Sequence, residues 1–103
     1  MIPYSRQFIS KIDKRNVLKV LASNFLTTGP EIQKFELKLA KKFKCKYVAV
    51  VNSATSALHL SCLALGLKKN DNFWTTPISF VSSANCALHC GANVKFIDID
   101  RAN

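Results

Sequence analysis

The chain has 103 residues, 49% hydrophobic and 20% charged, with three Gly and three Pro. This composition excludes collagen-like, low-complexity and disordered chains, and the length fits one domain or part of one. Fifteen Lys and Arg against six Asp and Glu give a net charge of +9, and residues 1–46, with 11 basic and 3 acidic side chains, carry +8 of it.

The first element is announced by Ser10-Lys11-Ile12-Asp13, which reads as a variant capping box: the Ser10 hydroxyl accepts from the third helical N–H and Asp13 favours the positive helix end. Val17, Leu18, Val20 and Leu21 give this helix, from about 11 to 22, an apolar face. Ser23 to Gly29 break the pattern. Thr28 or Gly29 caps a second helix with Pro30 at its first position, where a missing N–H costs nothing. Ile32, Phe35, Leu39 and Phe43 recur on one face of that helix, with lysines opposite.

Tyr47 to Val51 is a β-branched and aromatic run that predicts a buried strand. Asn52-Ser53 is a polar turn, and Ala54 to Leu65 a helix ended by Gly66. Lys68 to Asp71 form a solvated turn, Phe73 to Thr76 a strand stopped by Pro77, and Phe80 to His89 a helix with Gly91 past its end. Val94 to Ile97 or Asp98 is a further strand. The order from Tyr47 is β-α-β-α-β, the pattern of an α/β layered sheet, with a helical segment, residues 1–46, packed outside it. Two helices do not cover both faces of a buried parallel sheet, so an incomplete domain is expected.

The basic half has two readings. One is a polyanionic partner such as nucleic acid, through phosphate neutralisation. The other is a solvated face, since Lys34, Lys38, Lys41 and Lys42 lie opposite an apolar stripe. No nucleic-acid motif accompanies the charge, so a nucleic-acid partner is not expected. No membrane-length apolar run or basic-then-apolar leader is visible, which predicts a cytoplasmic protein. The four cysteines, Cys45, Cys62, Cys86 and Cys90, include no C-x-x-C pair. Cys86, His89 and Cys90 fall at helical spacing but lack a fourth ligand, so neither metal nor disulfide is expected.

The most informative stretch is Val50-Val51-Asn52-Ser53-Ala54-Thr55-Ser56-Ala57-Leu58-His59. A strand delivers the chain to small polar residues where a helix opens with unpaired N–H groups, a ready anion site. Ser53, Thr55 and Ser56 can add hydroxyl donors. A plain Ser/Asn helix cap is the alternative. The second stretch, Thr75-Thr76-Pro77-Ile78-Ser79-Phe80-Val81-Ser82-Ser83-Ala84-Asn85, places Phe80 on the same edge, either stacked on a flat cofactor ring or as a core side chain.

These two strings, followed by Gly91-Ala-Asn-Val-Lys-Phe-Ile-Asp-Ile-Asp100 and preceded by Ile2-Pro-Tyr-Ser5 and Leu26-Thr-Thr-Gly-Pro30, resemble the N-terminal part of the DegT/DnrJ/EryC1/StrS sugar-nucleotide aminotransferases. The resemblance spans essentially all 103 residues. It implies the fold-type I (aspartate aminotransferase-like) large domain beginning at residues 47–103, pyridoxal 5'-phosphate (PLP) as cofactor, glutamate as amino donor and a homodimer when complete. The Thr-Thr-Pro-Ile-Ser-Phe-Val wording is most similar to members that act on a UDP-linked 4-keto-6-deoxy amino sugar of pseudaminic acid biosynthesis. By the same resemblance Ser53, Ala54 and Thr55 would hold the cofactor phosphate and Phe80 would lie over its ring. Tyr4, Asn24, Phe25, Leu26 and Thr27 would contact the nucleotide sugar.

PLP chemistry also needs a Schiff-base lysine and an acid on the pyridine nitrogen. The family carries both on later strands, and Lys68, Lys69 and Lys95 do not match that lysine. The resemblance therefore implies an N-terminal fragment with no catalytic residue of its own, inactive in isolation. The alternatives are a small basic phosphate- or nucleic-acid-binding protein, or a non-functional remnant.

Overall fold

A computed structural model describes residues 5–100. The chain divides into two compact units, one up to Ala49 and one from Val50 onward. Tyr4 lies outside the described residues.

The first unit holds α1 (Lys11–Leu21) and α2 (Pro30–Phe43). Ser10 starts α1 with a full capping box. The Ser10 amide donates to Asp13 Oδ2 at 2.8 Å, and the Asp13 amide donates to Ser10 Oγ at 3.2 Å. These bonds, the hydroxyl one at 2.7 Å first among them, hold the Asp13 carboxyl below its ordinary value. Gly29 is the N-cap of α2, with Pro30 at its first position and no side-chain cap. Lys44, in the left-handed region at φ 53°, ends the helix, and the Cys45 amide returns to the Ala40 carbonyl at 3.1 Å. Neither helix has a buried residue. Their apolar stripes have the spacing expected but stay open: Leu18 and Phe35 are more than half exposed.

The second unit runs α3 (Ala54–Ala64), β1 (Asn72–Thr75), α4 (Ser82–His89) and β2 (Asn93–Phe96). α3 is capped by Ser53 and closed by Gly66 at φ +79°, where the Gly66 amide donates to the Leu63 carbonyl. β1 and β2 pair in parallel, Asn72 opposite Asn93 and Thr75 opposite Phe96. Asn93 N–H to Asp71 C=O (2.7 Å) and Ile97 N–H to Thr75 C=O (2.9 Å) extend the ladder at both ends. The core is a seam of small residues: Cys62 of α3, Ser82, Cys86 and Ala87 of α4, and Ala92 are all buried. Small side chains let the two helices approach closely.

Three expectations change. The run Tyr47–Val51 forms no ladder, because the paired strands among the described residues are β1 and β2 alone. A strand is defined by its neighbour, and a β-rich sequence supplies only half of that relation. The observed order is therefore α-β-α-β, still an α/β arrangement. The fourth helix starts at Ser82 rather than Phe80, since Pro77 and the following bends delay it. Phe80 is 74% exposed, so it is not a core side chain.

Candidate phosphate-binding site

Helix α3 opens on an extended Ser53 (φ −156°, ψ 155°), whose Oγ accepts the Ser56 amide at 3.1 Å. The Ala57 amide takes the Ser53 carbonyl. That leaves the N–H groups of Ala54 and Thr55 with no acceptor among the described residues. Both donors sit at the positive end of the helix dipole. The surrounding hydroxyls are organised before any ligand arrives. Ser53 Oγ and Ser56 Oγ are 3.0 Å apart, and Ser56 Oγ donates to Asn52 Oδ1 at 2.9 Å.

A second helix start joins the first. Thr55 Oγ1 and Ser82 Oγ are 2.8 Å apart, which ties the opening turn of α4 to that of α3. Beside it Ser79 Oγ and Ser83 Oγ lie at 3.0 Å. Ser82 was not singled out from the sequence. Its signal was the second strand–turn–helix string, which repeats the small polar composition of the first. Phe80 lies in the loop between β1 and α4 with its ring open to solvent.

The residues present suit a phosphate monoester. Two open amides and a set of hydroxyls offer donors, the side chains at 53–57 are small, and the sequence has no Asp or Glu between Glu36 and Asp71 to repel an anion. The structure brings Ser53, Ala54 and Thr55 together with Ser82. Asn24, Phe25, Leu26 and Thr27 belong to the first unit, in the loop from α1 to α2, all exposed.

Further along α3 and α4, the rings of half-buried His59 and exposed His89 are 5.3 Å apart and tilted. The Cys62 thiol is pushed up to about 11, first by burial and then by its hydrogen bond with Cys86. All four cysteines are free. Among the described residues no group of three His, Cys, Asp or Glu side chains is arranged to hold a metal, and no helix is long and apolar enough to cross a membrane.

Comparison with known proteins gives a consistent result. Residues 7–103 match the DegT/DnrJ/EryC1/StrS aminotransferase family. A UDP-4-amino-4,6-dideoxy-N-acetyl-beta-L-altrosamine transaminase of Campylobacter jejuni is 46% identical over 99 residues, 96% of this chain and 26% of that protein. Among solved structures, Spr1654 from Streptococcus pneumoniae in its PLP form superposes with a TM-score of 0.90 at 27% identity, covering 99% of this chain and 26% of that one. The Escherichia coli GDP-4-keto-6-deoxy-D-mannose-3-dehydratase with bound hydrated PLP gives 0.85 at 29% identity, covering 95% and 27%. The chain spans about a quarter of the length of these relatives.

Proposed function

Because this chain belongs to the DegT/DnrJ/EryC1/StrS aminotransferase family, we propose that it forms the phosphate-gripping part of a PLP-dependent aminotransferase. The reaction moves the amino group of glutamate onto a UDP-linked 4-keto-6-deoxy amino sugar, in the cytoplasmic route to pseudaminic acid. The observation that carries this reading is the start of α3, where the Ala54 and Thr55 amides stand open beside Ser53 and are braced by Ser82.

When bound, PLP supplies the electron sink that amino transfer requires. The chain's own residues do the holding. The Ala54 and Thr55 amides and the Ser53 hydroxyl bind the phosphate, and the helix dipole supports its charge. The Thr55–Ser82 bond fixes the two helix starts so that the donors are positioned before binding, which lowers the ordering cost. Phe80, already exposed, covers a face of the ring. Tyr4, Asn24, Phe25, Leu26 and Thr27 contact the nucleotide sugar. The PLP-binding large domain begins at Tyr47, after a helical segment of residues 1–46, and two copies of the complete enzyme form a dimer. Four free thiols suit a reducing compartment.

The substrate class draws on the Campylobacter jejuni transaminase, whose name carries a UDP-linked amino sugar. The cradle alone does not choose the reaction, since a PLP-binding dehydratase has the same fold. By itself the 103-residue chain does not transaminate, because Lys68, Lys69 and Lys95 do not match the family's anchoring lysine.

A chimera tests the reading. This chain replaces the matched 99-residue stretch of the Campylobacter jejuni transaminase, and the product is assayed with glutamate and the UDP-4-keto sugar. Amination is the expected result. A folded, PLP-loaded chimera that leaves the sugar unchanged would overturn the substrate assignment. A folded chimera that cannot retain PLP would overturn the cradle.

A further inference from the structure

Helices α3 and α4 each carry one histidine and no Lys, Arg, Asp or Glu. His59 stands one turn beyond Thr55 on α3, and His89 two turns beyond Ser82 on α4. The Thr55–Ser82 bond of 2.8 Å and the small-residue seam of Cys62, Cys86 and Ala87 set how closely the two helices approach. The imidazole rings meet at 5.3 Å between centroids, tilted by 53°. His59 is half-buried and His89 exposed, so the pair is open to solvent on one side.

That separation discriminates between coordination geometries. A metal–nitrogen bond of about 2.0–2.1 Å, plus about 1.1 Å from nitrogen to ring centre, puts each centroid about 3.2 Å from a shared ion. Two imidazoles at a tetrahedral angle then stand about 5.2 Å apart, and at the right angle of a square-planar site about 4.5 Å apart. The observed 5.3 Å matches the tetrahedral case. A bare ring contact, which tolerates about 4.5–7 Å, is the competing account.

We propose that His59 and His89 together chelate a Zn²⁺ ion, with water completing its tetrahedral shell. This inference is independent of the cofactor reading above. Two protein ligands make an open site, which agrees with there being no set of three among the described residues. The thiols stay out of the shell. Burial keeps Cys62 protonated at neutral pH, and the Cys86 and Cys90 thiols donate to the Ser83 and Cys86 carbonyls at 3.5 and 3.4 Å. Neither helix offers a carboxylate, so Mg²⁺ and Ca²⁺, which need oxygen ligands, are not held. His89 lies in the last turn of α4, where the negative end of the helix dipole favours a cation. Lys69 packs against Gly91, two residues past His89, but it is exposed and its charge is screened by water. The bound ion clamps α3 to α4 beyond the Thr55–Ser82 bond and so stabilises the second unit.

Calorimetric titration of the 103-residue chain with Zn²⁺ tests this, with circular dichroism as the check on folding. The titration uses a Cys45→Ser background, because that exposed thiol would itself take zinc. One equivalent of Zn²⁺ is expected to bind and to raise the melting temperature, while Mg²⁺ gives no heat. His59→Ala and His89→Ala each weaken binding at least about tenfold and abolish the thermal shift. Co²⁺ in place of Zn²⁺ gives a d–d spectrum without a thiolate charge-transfer band. Absence of Zn²⁺ heat would overturn the site. So would binding that survives either histidine substitution, or a thiolate band that places a cysteine on the ion. If the chain alone is unfolded, the same titration of the chimera decides. Loss of one equivalent of Zn²⁺ in both His59→Ala and His89→Ala upholds the site, and unchanged stoichiometry in either overturns it.

Discussion

Thr55 and Ser82, 27 positions apart in sequence, share a hydrogen bond of 2.8 Å between their side-chain oxygens. Ser82 is buried while Thr55 is exposed, so the bond satisfies the Ser82 hydroxyl from the solvent side. Thr55→Val removes one partner at nearly constant shape and strands the Ser82 hydroxyl, at a cost of about 1–3 kcal/mol. Adding Ser82→Ala removes the stranded group, so the double variant is less damaged than the sum of the singles. Urea unfolding of the four chains measures this coupling, and additive losses would contradict it.

Phe80 offers a separation of folding from binding. With its ring mostly in solvent, Phe80→Ala changes stability by no more than about 0.5 kcal/mol. In the PLP-loaded chimera the same substitution shifts the cofactor's absorbance and speeds its loss on dialysis. A large stability loss with an unchanged spectrum would place the ring in packing instead.

The Ser10–Asp13 box makes α1 sensitive to acid. Asp13 has its folded value below 3.8, so its contribution is complete above that value and is lost as pH falls through the lower, folded one. Helical circular dichroism should drop on acidification below about pH 4. Asp13→Asn should flatten that drop, and Ser10→Ala should fray α1 at neutral pH.

Cys62 points the other way. Its thiol is raised from 9.0 to about 11, so the unfolded chain releases its proton first as pH rises. Stability therefore declines between those two values, and Cys62→Ala should remove part of the decline. At pH 8 a thiol reagent should modify exposed Cys45 quickly and Cys62 only as fast as the second unit opens. Equal rates at the two sites would refute the buried seam.

The elements legible in the sequence are those governed by neighbouring residues. Ser10 with Asp13, Gly29 with Pro30, Ser53 with Ser56, and Gly66 each act within one helical turn, and all appear where local chemistry places them. The Ser53–Thr55 turn was recognisable for the same reason. What escaped depends on distant partners. Tyr47–Val51 has strand composition but no paired neighbour among the described residues. The Thr55–Ser82 contact joins two separate helices, and no spacing rule connects them. Phe80 could be read as a core side chain until its exposure was known.

The parallel register of β1 and β2 sets a length requirement on what lies between them. After Thr75 the chain must travel back the full span of the strand before Asn93 can meet Asn72. The eight residues of α4 advance about 12 Å along their axis. Four strand residues cover about 13 Å. The helix is thus a ruler cut to the strand it accompanies. With one turn of it removed, residues 76–81 and 90–92 would have to extend by about 5 Å for Val94 still to stop beside Phe73.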